Sequence, residues 1–204
     1  MTQKNPPDNP DNSSEVSNDS DELKELIKSA EEANESGNYE EAVKLWEDAV
    51  AKCEVEYGVE HAKTAFCYSK LGKCFIKQKK LNKALIAFEN ALTIRIKIFG
   101  ENHILTGLTY SDIGEIYHQK KNINLAYQYL CLAYPILREH HELNYSQTSL
   151  FKKMIGRDFK NKKDYENAIN LYKQSLAMNL DCFGEHHPNL VKDYYDLAEI
   201  YQKK

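Results

Sequence analysis

The chain has 204 residues, of which 42% are hydrophobic and 28% charged, with a net charge of −4. No apolar run approaches the roughly 20 residues needed to cross a bilayer, and Met1 to Asp11 carry neither a basic nor an apolar leader region, so a membrane span and a secretory signal are not expected. The five cysteines are odd in number and follow no framework spacing, which argues for reduced thiols in a cytosol-like compartment.

Residues 1–18 (MTQKNPPDNPDNSSEVSN) are mostly Asn, Asp, Pro and Ser, and a disordered acidic tail is expected there. The charge is uneven along the chain. Residues 1–61 hold 5 Lys against 17 Asp and Glu, whereas residues 62–204 hold 22 Lys and Arg against 14. An acidic front therefore precedes a basic body. Asp19 or Ser20 offers an N-cap, with Asp21 and Glu22 in the first helical turn, where carboxylates complement the helix dipole. A helix over Leu23 to Ala33, a turn at Ser36-Gly37-Asn38 and a helix over Tyr39 to Tyr57 follow, stopped by Gly58.

The same order then returns at a step of 42 residues. Ala42 recurs as Ala84, Ala126 and Ala168, and Trp46 as Phe88, Leu130 and Tyr172. Leu71-Gly72 recurs as Ile113-Gly114 and Ile155-Gly156, and Phe99-Gly100 returns two steps later as Phe183-Gly184. In the second unit, helix A is predicted from Lys63 to Lys77 and helix B from Asn82 to Ile98, with Gly100 as the C-cap. Small residues at Gly72 and Ala84 let the two helices approach, while Tyr68, Phe75 and Phe88 fill the space around the contact. The units run over residues 19–58, 59–100, 101–142 and 143–184, with a capping helix in 185–204.

Two stretches depart from the pattern. Pro135 lies inside the third helix B, where a kink or an early stop is expected, and His141-Glu142 stand where the neighbouring units have Phe-Gly. The last helix, Asn189 to Lys203, is expected to turn Lys192, Asp193, Asp196 and Glu199 outward.

The pattern Tyr68-x2-Leu71-Gly72-x2-Phe75, followed by Ala84-x3-Phe88-x2-Ala91, resembles the tetratricopeptide repeat. The 42-residue period, the Phe99-Gly100-x2-His103 ending and His187-Pro188 look like the kinesin light chain and nephrocystin class of these repeats. The resemblance covers residues 20–204. It implies an all-α, right-handed α-solenoid of about four and a half repeats, whose concave face is lined by helices A and takes extended peptides. Departures from the family narrow what carries over. Residues 1–61 show no heptads, and Ser69-Lys70, Ser111-Asp112, Lys153-Met154 and Tyr195-Asp196 stand where kinesin light chains present an asparagine ladder. Ile27 and Glu31 occupy the places of a carboxylate clamp, which an acidic first repeat would oppose.

On that geometry the groove would present Phe66, Ser69, Lys73 and Lys77, then Leu108, Ser111 and Glu115, then Leu150, Lys153, Arg157 and Lys160. Cations over an apolar floor suit an acidic or phosphorylated peptide, and a solvated basic helix face is the alternative. The turn pairs Lys79-Lys80, Lys120-Lys121 and Lys162-Lys163 suggest a basic edge that would attract polyanions, although turns favour lysine in any case. These lysines lack interleaved aromatics, so nucleic acid is not an expected partner. His61, His103, His140, His141, His186 and His187 fall at turns without metal-site spacing, and Cys67 and Cys74 share a helical face as core. No nucleotide loop, nucleophile motif or acid–base pair stands out, so neither enzyme chemistry nor a cofactor is expected. The sequence reads as a cytoplasmic adaptor that holds a partner peptide in its groove. The alternative is a structural subunit of a cytoskeletal or ciliary assembly, docked through its edges.

Overall fold

The computed structural model describes residues 19–140, 156–161, 163–186 and 188–204. The expected tail 1–18 and the junction at His141-Glu142 lie outside the described residues. All regular elements among the described residues are α-helical: α1 (Asp21–Glu35), α2 (Tyr39–Glu56), α3 (Ala62–Lys77), α4 (Leu81–Phe99), α5 (Ile104–Gln119) and α6 (Ile123–His140). Residues 156–161 are helical too, and α7 (Tyr165–Phe183) and α8 (Asn189–Lys203) follow. The helices gather into two compact units, Met1–Gly100 and Glu101–Lys204. In the first unit α1 pairs with α2, α3 with α4, and α2 with α3. In the second, α5 pairs with α6 and α7 with α8.

The repeated small residues sit where the helices meet. Ala42, Ala84, Ala126 and Ala168 are all fully buried, as are Ala49, Ala91, Ala133 and Ser175 one register further on. Between them Trp46, Phe88, Leu130 and Tyr172 fill the core. The closest approach involves the glycines of helix A. A Cβ on Gly72 would lie 2.6 Å from the Phe88 ring, and one on Gly156 would lie 2.8 Å from the Tyr172 ring. A side chain there would displace a buried aromatic.

The turn between paired helices is built the same way each time. The residue after the C-cap is left-handed: Gly37 (φ 77°), Lys79 (φ 59°), Lys121 (φ 63°) and Lys163 (φ 60°). Its N–H bonds back three residues and the next N–H bonds back five, as in Lys79 to Ile76 and Lys80 to Phe75, both 2.9 Å. This double bond pattern satisfies the last carbonyls of helix A. The second of these residues is also the N-cap of helix B. Asn38, Asn122 and Asp164 each accept a backbone N–H on their side-chain oxygen, whereas Lys80 has no side chain able to do so. The longer helix B ends on a glycine with positive φ at Gly100 (87°) and Gly184 (75°).

Two expectations change. Pro135 lies within α6 but does not shorten it, because the helix runs on to His140. Asp193 does not face outward from α8. It is buried and accepts a hydrogen bond from Asn179 of α7, so a polar pair occupies a core position. Lys192 is exposed as expected, Asp196 and Glu199 are half-buried, and Val191, Tyr194, Tyr195, Ala198 and Tyr201 are exposed as well. No helix among the described residues is long and apolar enough to cross a membrane.

Lys80 has the backbone of a capping residue (φ −86°, ψ 61°), close to that of Asp164 (φ −86°, ψ 72°), but not the side chain. Lys80→Asn should therefore supply the missing cap and stabilise the chain by about 0.5–1 kcal/mol. Urea unfolding checks this, and an unchanged or lower midpoint contradicts it.

Candidate protein-binding surface

Helices A contribute exposed polar faces in both units. In the first unit α1 and α3 lie side by side, tied by Lys70 to Glu31 (3.0 Å) and by the Cys74 thiol near Asn34 Oδ1 (3.6 Å). The Lys70 ammonium also stands 4.9 Å from the centre of the Phe66 ring. Phe66 is half-buried against Trp46 of α2, edge to face with centroids 6.0 Å apart. Lys73 and Lys77, one helical turn apart, are exposed and meet no carboxylate at ion-pair distance among the described residues. Ser69 departs from the expected surface, because it is 6% exposed and its hydroxyl lies inside the helix packing. The first unit therefore presents two uncommitted cations beside a half-buried apolar strip of Phe66 and Ile76.

In the second unit Leu108 and Ser111 of α5 are half-buried and Glu115 is exposed, accepting from Gln119 at 3.0 Å. The following helices A are joined by polar side chains at a similar separation in sequence. His118 of α5 meets Asp158 at 2.8 Å, and Lys160 pairs with Glu199 of α8. Lys160 thus serves the joint between neighbouring helices. Arg157 is exposed beside Tyr172; burial pushes the tyrosine hydroxyl up, and the guanidinium acts in the opposite direction. The Lys160 and Lys203 ammonium groups, hydrogen-bonded to Glu199, hold its carboxyl down at about 2. Leu150, Lys153 and Lys162 lie outside the described residues.

The turn lysines divide by role. Lys79, Lys121 and Lys163 are the left-handed residues of their turns, and Lys80 and Lys120 flank them; all five are exposed. The signal for the left-handed position was available in their alignment with Gly37. His61 and His103 are N-caps whose Nδ1 atoms accept the N–H of Lys63 and Leu105, each at 3.2 Å. That is the turn role expected for them. Cys53, Cys67 and Cys74 are buried thiols, with the Cys53 and Cys67 sulfurs 3.5 Å apart. Contact with Cys53 and burial push the Cys67 thiol up, and burial does the same at Cys74, which fits a core role.

Models of the tetratricopeptide repeat match residues 29–96, 74–139 and 154–182, together more than half of the chain. Among solved structures, the chain is similar to a Podosopora anserina protein described as a kinesin light chain with nearly identical TPR-like repeats. The identity is 18%, the TM-score is 0.69, and 88% of this chain and 85% of that one are covered. It is similar also to BtubC (BKLC) from P. vanneervenii, at 18% identity and TM-score 0.66, covering 88% of this chain and 72% of that one. These likenesses show a shared fold. A search of curated proteins finds no match.

The Glu199 joint carries a pH signature. A carboxyl held below its unfolded value of about 4.3 stabilises the folded chain above that value. The contribution fades as pH falls toward about 2. The stability difference between the wild type and Glu199→Gln should therefore shrink as pH is lowered from 6 to 2. Urea unfolding across that range measures it, and a constant difference would contradict the ion pairs.

Proposed function

Because this chain belongs to the tetratricopeptide repeat family, and so is a protein–protein interaction scaffold, we propose that it is an adaptor for an acidic or phosphorylated peptide segment of a partner. The segment lies along the exposed face of α3. The observation that carries this reading is the pair Lys73 and Lys77. Three other cations of these helices are engaged: Lys70 with Glu31, Lys160 with Glu199, and Arg157 beside Tyr172. Lys73 and Lys77 are exposed on one face of α3 without such a partner among the described residues. A carboxylate or phosphate meeting both forms charge-assisted hydrogen bonds without breaking an existing pair. The half-buried Phe66 and Ile76 alongside offer apolar contact to the same segment. Burial and raised thiols at Cys67 and Cys74 suit a reducing, cytoplasmic setting. The chain acts as a binding module with no chemistry of its own.

Affinity capture from a lysate with three baits tests this reading: wild type, Lys73→Glu/Lys77→Glu, and Lys79→Glu/Lys121→Glu/Lys163→Glu. Reversing two exposed cations under a bound anion should weaken capture about tenfold or more. The turn variant should retain its partners. Capture lost only in the turn variant would overturn the helix-face reading in favour of a structural subunit docked through its edge.

A further inference from the structure

Cys53 and Cys67 meet across the contact of α2 with α3, where their sulfurs stand 3.5 Å apart. Both are fully buried free thiols. The repeat itself brings them together. Three steps of 42 along the chain, Cys53 corresponds to Asn179 and Cys67 to Asp193, which are hydrogen-bonded between α7 and α8. Packing of a helix B on the following helix A therefore sets these two positions, 14 residues apart, side chain against side chain. In the first joint both members carry a sulfur.

Bonding would draw the sulfurs about 1.5 Å closer, to the roughly 2.05 Å of a disulfide, a movement on the scale of a side-chain rotation. Cys74 is the partner of neither. It lies about 10 Å further along α3 by the helix rise, and its sulfur is turned to Asn34 of α1, at 3.6 Å. Cys53 belongs to the last turn of α2, beside the half-buried Glu56, Tyr57 and Gly58 of the corner. Fraying of a helix end there admits an oxidant the size of a water molecule or two. The two thiols also differ in character. Contact with Cys67 draws the Cys53 thiol below its ordinary value; burial opposes this and the charge of Lys63 assists it. Contact with Cys53 and burial push the Cys67 thiol the other way. Lys63 is held at this corner by its ion pair with Asp19. Cys53 is thus the attacking thiol and Cys67 the resolving one.

We propose that Cys53 and Cys67 form a reversible redox lock, a dithiol that a hydroperoxide closes into a disulfide across the α2–α3 joint and a thiol reductant reopens. With hydrogen peroxide, the Cys53 thiolate attacks one peroxide oxygen and the O–O bond breaks. Hydroxide leaves, takes up the proton released when Cys53 ionised, and Cys53 becomes a sulfenic acid. The Cys67 sulfur then attacks the Cys53 sulfur. The S–S bond forms, the S–O bond breaks, and the departing hydroxide leaves with the Cys67 proton as water. In all, two thiols lose two electrons and two protons, and the peroxide is reduced to two waters. The disulfide ties the first repeat to the second through the short loop 53–67, which restrains the unfolded chain. The lock does not depend on the Lys73 and Lys77 face.

The test treats the folded full chain with hydrogen peroxide, blocks remaining thiols by alkylation and maps the tryptic peptides by mass. Trypsin separates the two cysteines, because cleavage after Lys52, Lys63 and Lys70 releases residues 53–63 and 64–70. The proposal predicts that these two peptides appear linked in the monomer and separate again after dithiothreitol. It also predicts that Tm of the oxidised chain rises by about 5 °C or more over the reduced chain. Cys67→Ser should lose both the link and the shift, with circular dichroism as the check on folding and Cys67→Ala as the second variant. Absence of the linked pair overturns the proposal, as does a link that forms only in the urea-unfolded chain or joins Cys131 or Cys182 instead. A linked chain with an unchanged or lower Tm overturns the lock. So does a rise in Tm that persists in the variants, because it then comes from oxidation elsewhere.

Discussion

The close approach of helix A to helix B at a glycine is the constraint on which the rest of this structure depends. Because a Cβ at Gly72 would lie 2.6 Å from the Phe88 ring, only one register of α3 against α4 brings a large side chain over a vacancy. That register places Ala84 and Ala91 in the same contact and leaves both fully buried. The two-residue turn at Lys79 and Lys80 then has one geometry that joins the helices, a left-handed residue followed by an N-cap. Repetition of the arrangement makes the chain an array of hairpins, and the surface each helix A keeps free is what remains after closure.

That remainder explains how charge is used. Neighbouring helices A lie side by side, and polar partners about one repeat apart in sequence meet there: the ion pairs Glu31 with Lys70 and Lys160 with Glu199, and the hydrogen-bonded His118 with Asp158. Such pairs are partly exposed and contribute modestly to stability, so register is set mainly by the apolar contacts. Lys73 and Lys77 lie outside these joints and stand exposed. A basic helix face therefore holds two populations, one paired between neighbouring helices and one exposed to solvent.

The fold was legible because the 42-residue step marks positions rather than residue types. Ala42, Ala84, Ala126 and Ala168 could be aligned without knowing any contact, and all proved fully buried. The same reasoning found the helix bounds to within two residues, Leu23 to Ala33 becoming Asp21–Glu35. It failed where polarity was allowed to outrank position. Asp193 read as surface because it is a carboxylate, yet its alignment with the buried Cys67 and Thr109 pointed inward. Val191, Tyr194 and Ala198 escaped notice because apolar residues at core positions read as core, and sequence does not say whether a covering helix is present. The candidate binding residues were less legible. Whether Lys73 or Lys160 is free depends on a carboxylate about 40 residues away, a separation that only the packed array brings into contact.

The most direct test of the central constraint is a double-mutant cycle between Gly72→Ala and Phe88→Leu, read by urea unfolding. If the methyl group of Gly72→Ala collides with the Phe88 ring, that substitution should cost about 1–3 kcal/mol in the wild-type background. In the Phe88→Leu background, where the ring is gone, the cost should drop by about 1 kcal/mol or more. Strict additivity of the two changes would contradict the claim that this approach fixes the register of the hairpin.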